Sequence, residues 1–450
     1  MLSRRTFLRG SGTAAALGSI GAAPSTQAGR SRSRAARLGE GTPRRIVHVV
    51  ADGMSLGTLS CANQLSRHER GRGLAWIDLV GHRDAHNAWM DMRSLDSLVT
   101  DSAAASSSWG SGSRVRNGTL NVTSGGEPLA PLHRIFGEAG WKRGLVTTTE
   151  ITHATPAGFT VASKSRDVGE DIAALYLSRG VEVMLGGARN HFDAAKRKDK
   201  RDLYGDFARA GYAVLRNRDD LFAAPVDRPW LGTFADGHLP YSIDHAESDT
   251  LRRSVPTLPE MVERALAHLD RGDRFLLQVE GGRVDHACHN NDAAAALRDL
   301  LVLDEALSVV LDYRRRRPDT LVVVTTDHGN ANLGLNGMGT SYRDSSKRFH
   351  GLSRVRASFP EILAQLKTVR TEAEAIALIE YRTGYRPVPA KVAQLLPFVV
   401  AKGSALFDQM NSDVAALGQL MANHLGIGFT GTTHTSDYVP LVAIGPGAER

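Results

Sequence analysis

Apolar residues in this chain form short unbroken runs that alternate with longer stretches of helical spacing. Arg45-Ile46-Val47-His48-Val49-Val50-Ala51 is one such run. Its β-branched content and lack of polar alternation predict a strand buried on both faces, ending at Asp52-Gly53. Residues 143–149 read the same way and end at Glu150, and residues 181–185 end at Gly186-Gly187. Residues 275–279 lead into Glu280-Gly281-Gly282, and residues 321–326 into Asp327-His328. Helical spacing separates them, as in residues 258–269 and 292–313. The alternation predicts an α/β fold, doubly wound, with a mostly parallel central sheet and helices on both faces. Ligands collect at the carboxyl ends of the strands in such sheets. Asp52, Glu280 and Asp327 all stand there, so distant sequence can converge on one site.

Two stretches interrupt the alternation. Residues 188–256 are rich in charge and loop residues, and residues 335–430 carry helical patterns near 371–382 and 414–425. Both are expected to be insertions, the second a cap or crown beside the site, within a single catalytic domain spanning 45–450. No internal repeat is evident.

Composition changes this picture little. At 450 residues, 42% hydrophobic and 23% charged, the chain can bury a large core and has an ordinary soluble balance. The net charge of +7 invites a nucleic-acid reading, but Arg4, Arg5 and Arg9 lie in residues 1–28, which contain no acid; without that segment the charge is +4. Residues 29–44 are a further basic, Arg- and Ser-rich stretch, expected to be a flexible solvated linker. Specific nucleic-acid binding is therefore not expected. Ser3-Arg4-Arg5-Thr6-Phe7-Leu8 resembles a twin-arginine export signal, followed by a glycine-broken apolar region and a small-residue cleavage site at Thr26-Gln27-Ala28. That region is too short for a stable membrane span. The expected location is periplasmic or secreted. Two cysteines, Cys61 and Cys288, exclude a disulfide framework.

The chemistry lies in carboxylates next to imidazoles. Asp327-His328 follows a strand, Asp285 and His289 share one helix face at i, i+4 spacing, and His434 follows much later in Gly431-Thr432-Thr433-His434. Hard carboxylates beside neutral imidazoles, without paired cysteines, suit hydrolytic zinc sites. On a helix Cys288 falls off the face of residues 285 and 289, so it reads as a small buried apolar residue. Ser102, in Thr100-Asp101-Ser102-Ala103-Ala104, sits where a helix is expected to start. Two metal sites and a poised serine point to phosphoryl transfer through a covalent intermediate.

The order of these segments is similar to that of the alkaline phosphatase family. The resemblance runs from about Arg45 onward through Val50-Ala51-Asp52-Gly53-Met54, Thr100-Asp101-Ser102-Ala103-Ala104, His153-Ala154-Thr155-Pro156-Ala157 and Ser163-Lys164-Ser165-Arg166. It continues through Val279-Glu280-Gly281-Gly282-Arg283-Val284-Asp285-His286, Thr326-Asp327-His328-Gly329 and His434-Thr435. It implies a first zinc on Asp285, His289 and His434, and a second on Asp52, Asp327 and His328. It also implies a third cation, magnesium, on Asp52, Thr155 and Glu280, an all-oxygen set that suits a hard ion. Ser102 is implied as the nucleophile and a ligand, and Arg166 as a bidentate clamp on phosphate oxygens. Asp101 is implied to orient Arg166 or its loop. The expected activity is hydrolysis of small phosphate monoesters to an alcohol and inorganic phosphate; a homodimer is implied by the resemblance alone.

The pattern departs from the family in places. His153 and His286 stand where other branches carry an aspartate and a lysine, so the third cation could be zinc or cobalt. His286 could make phosphate affinity depend on its protonation near neutral pH. Members of the family usually continue for a further short segment past a strand like residues 439–444, and no implied ligand lies beyond Arg450. A phosphodiesterase of the same superfamily is the nearest rival, but it commonly lacks partners for a third metal, and Thr155 and Glu280 are present. The Cys/Ser-x-Pro-x-Arg context of sulfatases is missing. A non-catalytic binder of phosphate or polyanion would need no serine nucleophile.

Overall fold

The computed structural model describes residues 41–401 and 403–450. The leader at 1–28 and residues 29–40 of the linker at 29–44 lie outside the described residues. The first strand, β1 (Arg45–Ala51), forms as its apolar run predicts, with Val47, Val49 and Ala51 fully buried. The strands that follow are β2 (Ala85–Met90), β3 (Lys142–Glu150), β4 (Val183–Gly187), β5 (Ala213–Leu215), β6 (Trp230–Thr233), β7 (Phe275–Gly281) and β8 (Thr320–Thr326). The short strands β9 (Gly329–Asn330), β10 (Gly334–Leu335), β11 (Ile427–Gly428) and β12 (His434–Thr435) precede the last, β13 (Val439–Ile444).

Nine of these form one sheet in the order β2-β13-β8-β1-β7-β3-β4-β6-β5. It is parallel except at one side, where β13 runs antiparallel to both β8 and β2. Register does the functional work. Ala51 of β1 pairs with Gly281 of β7 and with Thr326 of β8, so three strands run out level with one another. Asp52, Glu280 and Asp327 are thereby brought to one end of the sheet. The stretch 188–256 contributes β5 and β6 to the far edge of this sheet, so its charged, loop-rich sequence still carries ladder hydrogen bonds.

Helices cover both faces. Helix α1 (Leu56–Arg70) begins under the Ser55 cap, and α2 (Ser102–Ser111) under Asp101, whose carboxylate accepts from Ala104 N–H. Then come α3 (Ala154–Thr160) and α4 (Leu258–Leu269), the latter opened by a Thr257/Glu260 capping box with proline in its first turn. The short α5 (Arg283–His289) follows β7 directly, and α6 (Ala293–Arg316) is capped by Asp292. The leucines and alanines of α6 lie in the core formed with Val279, Val322 and Val324 of the sheet. Each such buried aliphatic side chain contributes about 1.5–3 kcal/mol relative to exposure. Four further helices, α7 (Phe359–Leu366), α8 (Glu372–Thr383), α9 (Pro389–Val400) and α10 (Asp413–Leu425), lie in the stretch 335–430. It is tied back to the body where β10 pairs with β11. Among the described residues no helix is long and apolar enough to cross a membrane.

Candidate metal centre and nucleophile

The carboxyl ends of β1, β7 and β8 place Asp52, Glu280 and Asp327 around one buried space, and all three side chains are shut off from solvent. The turn after β1 allows this because Gly53 takes φ +69°, and its N–H donates to Asp327 Oδ1 at 2.9 Å. Helix α5 leaves β7 after Gly282 and turns Asp285 and His289 toward the same space, as their spacing predicts. The strand β12 pairs with β9, His434 against Asn330, and so carries His434 in from the far end of the chain.

Three groups result, each with ligand atoms within 4.8 Å of one another: Asp285, His289 and His434; Asp52, Asp327 and His328; and Asp52, His153 and Glu280. Every ligand expected from the sequence is at this centre. Thr155 Oγ1 is 3.4 Å from Asp52 Oδ2, at the third group. His153, expected only beside the ligands, stands within that group itself. It does so because it is the N-cap residue of α3, one step before the buried first turn that holds Thr155.

The donor set is built for cations. His289 Nδ1 lies 2.6 Å from Thr432 O and His434 Nδ1 lies 2.8 Å from Thr100 O. A carbonyl only accepts, so both Nδ1 atoms carry the hydrogen in the neutral rings and both Nε2 atoms present lone pairs. Those two Nε2 atoms face each other at 3.1 Å. Lone pairs so close repel unless a shared positive charge lies between them. His328 is held the same way, with Nδ1 at 3.2 Å from Gly329 O and Nε2 at 3.1 Å from Asp327 Oδ2. Asp52 Oδ1, Asp327 Oδ2, Glu280 Oε1 and His153 Nδ1 are buried and accept or donate no hydrogen bond. Such orphaned atoms are costly in a protein interior. Metal ions would satisfy the carboxylate oxygens among them, and the residues present fit that role.

Electrostatics agree. Burial, and then the charges of Asp327, Asp285 and Glu280, push the Asp52 carboxyl well above its usual range. Burial raises Glu280 to about 7 against hydrogen bonds from Thr147 and Thr155. Four carboxylates crowded away from water need several positive charges, and Arg166 alone is too few.

Ser102 opens α2 and is 1% exposed, with Oγ 3.3 Å from His328 Nε2. Asp101 is the N-cap of α2 and also reaches Arg166. Its Oδ1 accepts from Ala104 N–H at 2.8 Å, and its Oδ2 accepts from Gly118 N–H at 2.9 Å and from Arg166 Nη1 at 3.1 Å. Arg166 Nη2 lies 3.2 Å from His153 Nε2, so the guanidinium bridges Asp101 and His153. Cys288 is fully buried in the core cluster, as its position on α5 predicts.

His286, expected beside the ligands, lies next to Asp285 on α5. Burial, and then His238 and Arg283, hold its imidazole well below the usual histidine range. Arg283 Nη1 lies 2.8 Å from His286 Nδ1, and its guanidinium stacks 3.7 Å from the Tyr241 ring. The His238 ring is 4.4 Å from that of His286 and 5.5 Å from that of His153. Arg283 and His238 carry no signal in the sequence alone. One is lost in a matching motif without a role, and the other lies in the loop-rich stretch 188–256. A cleft of about 570 Å³ opens beside these residues, lined by His286, His289, Tyr241, Arg283 and Glu361 among others.

A doubly wound sheet that gathers histidine–carboxylate sets and a buried serine at its carboxyl edge defines a metal-dependent hydrolase of the phosphoryl-transfer class. The chain belongs to the alkaline phosphatase family, whose match covers residues 43–450. It is 31% identical to alkaline phosphatase 3 of Bacillus subtilis (strain 168) over 364 residues, 78% of this chain and 73% of that protein. It is 30% identical over 413 residues to the repressible alkaline phosphatase of Saccharomyces cerevisiae, 84% of this chain and 69% of that protein. The crystal structure of Thermus thermophilus alkaline phosphatase superposes with a TM-score of 0.85 at 35% identity, covering 91% of this chain and 87% of that one. The protein is a metal-dependent phosphoric monoester hydrolase.

Proposed function

We propose that Ser102 Oγ is the nucleophile of monoester hydrolysis and that the phosphoryl group passes through a phosphoserine at this position. The observation that carries the reading is the place of that hydroxyl: buried, at the first residue of α2, and 3.3 Å from His328 Nε2 beside two histidine–carboxylate sets. Asp285, His289 and His434 would hold one zinc, and Asp52, Asp327 and His328 a second. Bound cations there would supply the positive charge that lowers the pKa of the serine hydroxyl and of the attacking water and stabilises the departing alkoxide.

The residues do the rest. Ser102 Oγ attacks phosphorus as its O–H bond ionises, helped by the aligned N–H dipoles of the first turn of α2. Arg166, kept in place by Asp101, pairs with two non-bridging oxygens of the monoester dianion. The ester oxygen leaves on the side opposite Ser102 and takes up, through solvent, the proton that Ser102 lost, so an alcohol departs. Water then attacks the phosphoserine from the vacated side, the Oγ–P bond breaks, and Ser102 regains its proton as inorganic phosphate departs. A diester carries one less charge for Arg166 to pair, so the clamp favours monoesters.

Asp52, Glu280 and Thr155 would bind a third divalent cation. Magnesium suits their oxygens, while the imidazole of His153 turns the set toward zinc or cobalt. The twin-arginine leader supports export to the periplasm or exterior, and exposed Trp89, Leu98 and Tyr438 support a homodimer. Cell fractionation and sedimentation of the full chain read both; retention in the cytoplasm or a monomer mass would refute them respectively.

The nucleophile is tested by Ser102→Ala. It should keep its bound metal largely intact, yet yield no acid-trapped phosphoenzyme from a radiolabelled monoester, with kcat lower by at least about a thousandfold. A trapped phosphoenzyme in the variant would end this reading.

A further inference from the structure

We infer that Gln409 is a positioning residue for the first ligand set, a latch through which the stretch 335–430 holds the loop that orients His289 and carries His434. This rests on the reading of Asp285, His289 and His434 as metal ligands.

The loop 430–434 has almost no regular structure, so its conformation depends on what its polar groups meet. Its flanks are held by the body of the protein. Thr430 N–H donates to Ala331 O and Ala331 N–H to Thr433 O, each at 2.9 Å, while Asn291 Nδ2 donates to Gly431 O at 2.7 Å. Thr432 lies between these anchors, and its carbonyl is the one that takes the His289 Nδ1 hydrogen at 2.6 Å. The direction of that carbonyl sets the plane of the ring and the aim of Nε2.

Both remaining donors of Thr432 go to Gln409. The backbone N–H donates to Gln409 Oε1 at 3.2 Å, and the hydroxyl donates to Gln409 O at 3.2 Å. Thr433 Oγ1 donates to the same Oε1 at 3.1 Å. Gly431 makes room for this, because a Cβ there would run into Gln409 Oε1. Gln409 is itself exposed and belongs to a single 3-10 turn, Asp408–Met410, outside the buried core. It therefore adds little to global stability. Its effect is geometric: without the latch the Thr432 peptide is free to rotate, and His289 loses its orienting partner. Groups that orient metal ligands typically govern affinity by about 10–100-fold, and Gln409 acts one bond further out, so about tenfold is expected.

The chemistry needed is an acceptor oxygen, since only Oε1 of the side chain is engaged. Gln409→Glu keeps it; Gln409→Met has the same length without it. Zinc affinity and stoichiometry of the full chain, read by competition with a chromophoric chelator, should show one zinc bound about tenfold more weakly in the Met variant and no loss in the Glu variant. Melting of the metal-stripped proteins should be the same for all. A Met variant that holds every zinc as tightly as the parent overturns the latch, as does a Glu variant that loses as much as the Met variant. His434→Ala separates the two readings. If it keeps its full metal complement, the ligand set is wrong; if it loses one zinc while Gln409→Met does not, only the latch is wrong.

Discussion

Single residues at this centre act through charge and donor type, and His153 shows how far one substitution reaches. Its Nε2 meets Arg166 and its buried Nδ1 is without a partner in the group formed with Asp52 and Glu280. His153→Asp replaces a borderline-soft nitrogen by a hard oxygen and adds negative charge. The third set of the variant should prefer magnesium over zinc or cobalt by about tenfold more than the parent does, read by metal competition at equilibrium. Unchanged selectivity would remove His153 from that set. The carboxylates and imidazoles that the fold gathers here were legible in the sequence because most stand next to a strand end or at helical spacing. The groups that aim them were not. Thr432 and Thr100 orient two histidines through backbone carbonyls, which no residue type reveals. His238 and Arg283 act only because the fold stacks them on His286.

At the level of elements, the strands and helices built around long apolar runs follow the sequence closely. β1 and β13 match their runs end to end, and α4 spans its predicted 258–269. The missed strands are short or lie at an edge: β2 is exposed along its middle and pairs only with β13, β5 is three residues long, and β6, though buried, is only four. Short edge strands are fixed by neighbours and not by their own pattern. The link from β1 to α1 carries the sharpest demand. Gly53 takes a left-handed φ, and a Cβ there would collide with Asp285 Oδ1. Gly53→Ala should therefore do two things at once. Backbone strain costs about 1–2 kcal/mol, and displacing Asp285 would weaken the cation proposed for Asp285, His289 and His434. Metal analysis after dialysis should find less than the full complement, with the melting temperature of the metal-stripped form also lowered. Full zinc occupancy in this variant would mean that Asp285 is not held in place by the turn.

For the molecule as a whole, strand order was the least legible feature, because β7 and β8 reach the two sides of β1 only after more than two hundred intervening residues. What binds those distant parts away from the site is a charged knot at the opposite end of the sheet. Asp270, the C-cap of α4, accepts from Arg45 Nε at 2.9 Å, Tyr313 Oη at 2.6 Å and Arg317 Nη2 at 2.8 Å. It thus joins α4, the start of β1 and the end of α6. Burial alone would raise its carboxyl, but the hydrogen bonds from Arg317, Tyr313 and Arg45 outweigh burial and hold it below the usual carboxylate range. The sign of the linkage follows. The folded state keeps Asp270 ionised at pH values where the unfolded chain takes up a proton, so the stabilisation is complete above the unfolded pKa of about 3.9. It is lost as pH falls through the lower folded value. Asp270→Asn keeps the shape but not the charge, and should cost about 1.5–3 kcal/mol near pH 7, the range for hydrogen bonds to an ionised group. The gap from the parent should narrow as pH drops below about 4. Urea midpoints of metal-stripped parent and variant, compared from pH 7.5 down to 3, isolate this from acid release of metal. A gap that stays constant across that range would show that the knot acts by shape and not by charge.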